Sequence, residues 1–299
     1  MKILIIGSNG ALGWELANGL PPLFEKEKQP LSVICTSHSQ IEITNASNTF
    51  ETIARTTPDV IINCAAFTDV DACESNIDKA YAVNAEGAKN VALAGKNLHA
   101  RVIHISTDYV FDGAKNTPYN ETDPPHPLSV YGKSKRAGEE AVQEINGNYT
   151  IIRISRLYGP HKSNFVTKIL HIGLEKHAVS AVTDQFGSPT YAADLVRALW
   201  YVLSLDLHGI YHIANDGICS WYEWAREIFR LSNIQVSLQS IKAEDFKRAA
   251  TVPQNSSLNC TKFVQATGHK MRPWQEALEE YLGKYVIPAM GGADKLVYP

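Results

Sequence analysis
The sequence contains no uninterrupted apolar run of about 18 residues, the length a membrane-crossing helix needs. It opens on Met1-Lys2-Ile3-Leu4-Ile5-Ile6-Gly7, an apolar run too short, and too soon broken by glycine, for the core of a signal peptide. The expected location is therefore the cytoplasm, with no membrane partner. Positive charge is not in excess either: 28 Lys+Arg stand against 31 Asp+Glu, a formal net charge of -3, which leaves no electrostatic footprint for nucleic acid. Cys35, Cys64, Cys73, Cys219 and Cys260 are odd in number and never form Cys-x-x-Cys, which argues against a disulfide framework and a zinc site. What remains, with 44% hydrophobic and 20% charged residues over 299, is an ordinary globule long enough for roughly two domains.

The chain begins with an apolar strand, Ile3 to Ile6, followed directly by Gly7-Ser8-Asn9-Gly10-Ala11-Leu12-Gly13 and a helical pattern through Leu20. Strand, glycine loop and helix are the context in which backbone N–H groups and a helix dipole hold a pyrophosphate. The spacing is Gly-x-x-Gly-x-x-Gly rather than Gly-x-Gly-x-x-Gly. A second strand over residues 31–36 ends in Cys35-Thr36-Ser37-His38-Ser39, where neither Asp nor Glu stands to bond a ribose 2′-hydroxyl and no Arg stands to grip a 2′-phosphate. NADPH is thus modestly favoured over NADH. Ile41-Glu42-Ile43-Thr44 either lies against the adenine or simply leads into a capped helix around residues 46–55.

A third strand over 58–63 runs into Cys64-Ala65-Ala66-Phe67-Thr68, small residues that leave room for a ligand at the strand's carboxyl end. In the next helix, residues 78–97, Asn84 falls where its propensity is poor; it either bonds something near the site or is a tolerated polar residue. The fourth strand, 101–106, ends at Ser106-Thr107-Asp108-Tyr109, and a Gly/Pro-rich loop leads to a helix over 129–144. In that helix Tyr131 and Lys135 are four apart and share one face. A tyrosine titrates near ~10, and a cation within reach lowers this by roughly 1 to 3, so the phenol becomes a proton donor usable near neutral pH. Tyr-x-x-x-Lys also arises by accident, and the surroundings must decide.

Those surroundings carry a resemblance. GSNGALG, PDVIINCAAFTDVDACES, VNAEGAKN, ISTDYVFDG, PYNETDPPHPLSVYGKSKRAGEE, DQFGSPTYAADL and YHIANDGICSWYEWA are similar to the matching segments of the extended short-chain dehydrogenase/reductases, and within them of the dTDP-4-dehydrorhamnose reductases. The resemblance implies a Rossmann α/β fold, a doubly wound parallel sheet, with a smaller substrate-binding α/β domain. The division expected is 1–160 and 186–206 for the cofactor body and 161–185 and 207–299 for the substrate part. It implies that Thr107 hydrogen-bonds a ketone oxygen, that Tyr131 protonates it, and that Lys135 holds the nicotinamide ribose and depresses the tyrosine's pKa. By the same resemblance Gly7, Asn9, Gly10, Ala11, Leu12, Gly13, Ser37, Glu42, Ile43, Cys64, Ala65, Ala66, Thr68 and Asn84 join Tyr131 and Lys135 at the cofactor. Thr107, Asp108, Tyr109, Arg156 and Asn164 face the nucleotide sugar.

Departures from the pattern bear on the substrate. Nucleotide-sugar dehydratases carry Thr-Asp-Glu after the fourth strand, whereas Tyr109 stands here, so the carboxyl pair for elimination is incomplete and simple reduction is favoured. Arg156 replaces a tryptophan that would offer the deoxysugar a flat wall; a guanidinium there reaches a phosphate, stacks on a base, accepts a more polar sugar or forms an ion pair. Val252 stands where relatives place an arginine, leaving Arg156 or Arg248 to supply charge. Glu15 matches one glutamate of a magnesium site seen in some relatives, but Ala193 replaces its partner, so Glu15 is expected to be a solvated helix residue and no metal to be required. Trp221 and Trp224, at helical spacing behind a Ser220 N-cap, are expected in the core. The expected activity is reduction of the 4-keto group of dTDP-4-dehydro-L-rhamnose by a monomer or homodimer. The alternatives are a reductase or epimerase on another nucleotide sugar and a non-catalytic NADP-binding regulatory subunit.

Overall fold
The computed structural model describes residues 1–290. The apolar runs of the first half become six parallel strands: β1 Lys2–Ile6, β2 Ser32–Thr36, β3 Val60–Asn63, β4 Arg101–Thr107, β5 Tyr149–Ile154 and β6 Gly209–His212. Their order across the sheet is β6-β5-β4-β3-β1-β2. Strands buried on both faces need no polar alternation, which is why they read as continuous Ile and Val. Successive residues point to opposite sides. Ile3 and Ile5 pack with Leu16, Leu20, Leu195 and Leu199 on one face, while Leu4 and Ile6 pack with Ile41, Ile53 and Val91 on the other. The chain leaves β1 for β2 on one side and returns to β3 on the other, so a crevice opens at their carboxyl ends.

Three element boundaries differ from the sequence reading. The first helix runs Ala11–Lys26, past Leu20 and through Pro21 and Pro22. Leu20 and Phe24, four apart and buried in the core, hold the helix through two prolines that forfeit backbone bonds. The long helix expected over 78–97 is interrupted: Ile77–Tyr81 and Gly87–Asn97 flank a π-helical turn, Ala82–Glu86, centred on Asn84. Gly209–His212, assigned from sequence to the substrate part, pairs in parallel with β5 as the sheet's sixth strand. The Thr261–Thr267 helix follows it, with Phe263 in the same core as Ile213.

A second core lies in the C-terminal half. Tyr191 stacks on Tyr158 while Trp224 and Tyr281 meet it edge-on, at centroid distances of 5.3 to 5.6 Å, with Leu170, Ile228 and Leu278 about them. The helix Phe165–Lys176, the parallel pair Ala178–Val182 with Ser237–Ile241, and the helices Trp221–Leu231 and Trp274–Tyr281 enclose it. Residues 291–299 of the expected substrate part lie outside the described residues.

Candidate active site
Two cavities, of about 240 and 650 Å³, meet at the carboxyl ends of the strands and share Gly10, Cys64 and Ala66. The smaller is lined by Gly7, Asn9, Gly10, Ser37, His38, Ile41, Glu42, Ile43, Cys64, Ala65 and Ala66. Its floor requires glycine: Gly7 has φ +82° and a Cβ there would lie 2.8 Å from the Ala65 nitrogen, while a Cβ on Gly13 would run into the Gly7 carbonyl. The Ala11–Lys26 helix starts at this floor without a side-chain cap, leaving its first N–H groups and positive dipole end for a ligand. A cradle that a single Cβ would fill, at a bare helix N-terminus, fits a dinucleotide pyrophosphate. No Arg or Lys lines this cavity among the described residues, and the carboxylate of Glu42 lies on its rim, 3.3 Å from His38. The Thr44 hydroxyl donates to Glu42 and holds its carboxyl below the usual value.

The larger cavity brings together Ala11, Leu12, Gly13, Thr68, Thr107, Asp108, Tyr109, Tyr131, Lys135, Arg156, Asn164 and Trp221. Thr107 closes β4, and the next residues turn into a short 3-10 segment whose Tyr109 N–H donates to the Thr107 hydroxyl at 3.2 Å. Ser129 caps the Val130–Ile145 helix through a bond from Gly132 N–H, which sets Tyr131 in the first turn and Lys135 one turn on. Gly132 is required, since a Cβ there would strike the Tyr109 carbonyl. The Tyr131 ring meets Tyr109 edge-on at 6.1 Å.

The electrostatics differ from the sequence expectation at two points. Burial raises the Tyr131 phenol well above its ordinary value, with Asp108 adding to it, against the opposing bond from Thr107, and Lys135 is not turned toward it. The Lys135 Nζ instead lies 2.6 Å from the Ile105 carbonyl and 3.2 Å from His104 Nε2. Burial brings Lys135 itself down to about 8. Thr107 also donates its proton to Asp108 at 3.0 Å rather than into the cavity. Asp108 takes a second bond from Ser155 at 2.7 Å, and burial still raises its carboxyl above the ordinary value.

Arg156 makes no ion pair among the described residues. Its backbone is left-handed (φ 46°), its guanidinium lies 4.0 Å over the Trp221 ring, and it donates to the Cys219 and Gln185 carbonyls at 2.8 and 2.9 Å. Trp224 is core as expected, but Trp221 lines the cavity. Arg248 is paired with Asp71 at 3.1 Å. Two expected ligands are committed elsewhere. Asn84 bonds the Phe67 N–H, the Phe67 carbonyl and the Ser134 hydroxyl, and lines neither cavity. Asn164 caps the Phe165–Lys176 helix and donates to the Gly159 and Lys162 carbonyls, so at the cavity rim it acts as a cap. Glu15, expected in solvent, is buried, and its Oε1 has no hydrogen-bond partner among the described residues. Within the same residues no three His, Cys, Asp or Glu side chains come close enough to hold a metal ion.

The residues that sequence reasoning missed are polar groups inside strands. His104 in β4 lies opposite Asn63 of β3 and touches Lys135, and Arg153 in β5 pairs with Glu139 of the Tyr131 helix at 2.8 Å. A histidine and an arginine in otherwise apolar runs were the available signal.

The family model described as RmlD substrate binding domain matches residues 1–287. The chain belongs to the dTDP-4-dehydrorhamnose reductase family. Among its relatives, the spore coat polysaccharide biosynthesis protein SpsK of Bacillus subtilis is 40% identical over 94% of this chain and 96% of its own length. The dTDP-4-dehydrorhamnose reductase of Clostridium acetobutylicum superposes with a TM-score of 0.89 at 39% identity, covering 95% of this chain and 99% of that one. The Bacillus anthracis dTDP-4-dehydrorhamnose reductase, solved with NADP, superposes with the same TM-score at 38% identity and the same coverage of both chains. The family's fold agrees with the doubly wound sheet described above.

Proposed function
We propose that the protein is an NAD(P)H-dependent reductase of a nucleotide sugar, converting the 4-keto group of dTDP-4-dehydro-L-rhamnose to the alcohol of dTDP-L-rhamnose. The observation that carries this reading is the meeting of Thr107, Tyr131 and Lys135 on one wall of a cavity continuous with the glycine cradle. The cofactor, NADPH with NADH as the alternative, supplies hydride to the ketone carbon when bound. Gly7, Gly10 and Gly13 let the backbone approach its phosphates, and Cys64, Ala65 and Ala66 keep the crevice wall low. Tyr131 is the proton donor to the oxyanion that forms. Asp108, by accepting the Thr107 hydrogen, fixes the Thr107 oxygen beside the phenol; when the ketone enters, that hydroxyl must turn from Asp108 to reach it.

One observation favours a second substrate within the same chemistry. Arg156, with donors to spare beyond its two carbonyls, offers the sugar a polar wall that suits a hexose richer in oxygen than a 6-deoxy sugar. In neither case is a membrane partner proposed: no helix among the described residues is long and apolar enough to cross a bilayer, and a cytoplasmic monomer or homodimer is the assembly we infer. The test is to mix the purified protein with dTDP-4-dehydrorhamnose and NADPH and follow the reduced nicotinamide band. Tyr131→Phe should turn over at least about 100-fold more slowly while still binding NADPH. A variant as fast as the parent would remove Tyr131 from the chemistry, and no oxidation with any keto-sugar nucleotide despite tight NADPH binding would favour the regulatory-subunit reading.

A further inference from the structure
His104 lies buried in the middle of β4, between Asn63 and Lys135, and hydrogen-bond accounting across these three residues fixes where its proton sits. The backbone N–H of Ala65 lies 3.1 Å from the Asn63 Oδ1. An amide N–H only donates, so the oxygen of Asn63 must face it and the NH₂ must face the imidazole, 3.3 Å from His104 Nδ1. Nδ1 therefore accepts, and a neutral imidazole then carries its hydrogen on Nε2. Nε2 faces Lys135 Nζ at 3.2 Å. A hydrogen pointing at an ammonium is repulsive; a hydrogen pointing at the lone pair of an amine is a bond. The amine can still donate one of its own hydrogens to the Ile105 carbonyl.

We propose that His104 is a positioning residue that holds Lys135 as a neutral amine in the cofactor-free protein in alkaline solution, and that Lys135 there takes up a proton when the dinucleotide binds. The other ionisable groups around Lys135 permit this. Cys64, from the end of β3, is a thiol pushed up to about 12 by burial and so brings no charge. Glu139, on the same helix, favours the ammonium but is bonded to Arg153 at 2.8 Å and Arg136 at 3.0 Å, and burial still outweighs it. Burial holds His104 itself well below its ordinary value, which keeps it neutral, and burial likewise lowers Lys135. A bound dinucleotide brings phosphate charge and ribose hydroxyls, which favour the ammonium. Above about pH 8 the cation beside Tyr131 is then assembled only in the loaded protein. This consequence rests on the reductase reading, but the proton inventory is measured without any keto sugar, so failure of one is distinguishable from failure of the other.

The decisive measurement is the tautomer of His104 in the cofactor-free protein, read from long-range ¹H–¹⁵N correlations on ¹⁵N-histidine-labelled chain and assigned with His104→Gln. The Nε2–H form is expected; the Nδ1–H form or an imidazolium overturns the proposal. A second measurement is proton uptake on NADPH binding at pH 9, from titration calorimetry in two buffers of different ionisation enthalpy. The parent should take up more than about half a proton per NADPH. His104→Gln, whose amide oxygen can turn to accept from an ammonium, should lose that uptake. Equal uptake by the parent and His104→Gln, or none by the parent, would defeat the idea, and if His104→Gln does not fold the tautomer, assigned by elimination from the other histidines, decides alone.

Discussion
Tyr131 and Arg156 face one cavity with opposite electrostatic demands. The phenol is raised by burial and needs a neighbouring positive charge to release its proton. The guanidinium is held by backbone carbonyls and the face of Trp221, with the Asp108 carboxylate near enough to favour its charge but no ion pair among the described residues. Gly187 makes room for it, since a Cβ there would sit 2.7 Å from the Arg156 Nε. Such a seat matches a planar fork and not a point charge. Arg156→Lys should therefore lose both carbonyl bonds' geometry and the stacking, and raise the KM for the nucleotide sugar by roughly 10-fold with little change in NADPH affinity. Steady-state kinetics on the two substrates read this out, and an unaltered sugar KM would show that Arg156 only braces the Gln185 and Cys219 loops.

At the scale of elements, the site depends on how closely the Tyr131 helix approaches its neighbours. A Cβ on Gly138 would collide with the Asn84 carbonyl, so the π-helical turn and the Val130–Ile145 helix touch backbone to backbone. Asn84 locks that contact by bonding Phe67 on both its N–H and its carbonyl, and Ser134 beside Lys135. Asn84→Ala leaves these buried partners unsatisfied and should cost about 1–3 kcal/mol, visible as a lower denaturation midpoint, with NADPH affinity falling as the Phe67 loop loosens. A midpoint equal to the parent's would mean that water replaces the amide. The sequence made the strands and the glycine loop legible because doubly buried strands and a phosphate cradle each demand one kind of residue at every position. It left Asn84 undecided because a π-turn has no periodicity of its own, and it ended the first helix at Leu20 because Pro21 and Pro22 look like a stop when Phe24 cannot be seen docking behind them. The site's residue types were readable at Thr107, Tyr131 and Lys135. The direction in which the Lys135 Nζ points was not, because that depends on Asn63 and His104, on two strands 41 residues apart in sequence.

Across the whole molecule, two buried carboxyls end on opposite sides of the ordinary glutamate value, and the contrast predicts how stability follows pH. Among the described residues Glu15 has no hydrogen-bond partner for Oε1, and desolvation raises its carboxyl above the ordinary 4.5. Glu139 is also pushed up by burial, but its bonds to Arg153 outweigh this, with Arg136 adding to them, and the carboxyl is held below 4.5. Because its folded value is depressed, Glu139 contributes stability that is fully present above the ordinary glutamate value and is lost as pH falls through the lower folded one. Arg153 also touches His212 of β6 and lies 5.1 Å over the Phe111 ring, so this ion pair ties the Tyr131 helix to the sheet's edge and to the loop after β4. Glu139→Gln strands the Arg153 charge in the core and should cost about 3–5 kcal/mol at pH 7. It should also flatten the acid limb, so that parent and variant converge as pH falls below 4.5. Denaturant midpoints at pH 7 and pH 4 test both halves: a deficit of the same size at the two values would assign the loss to packing alone and not to the charge on Glu139.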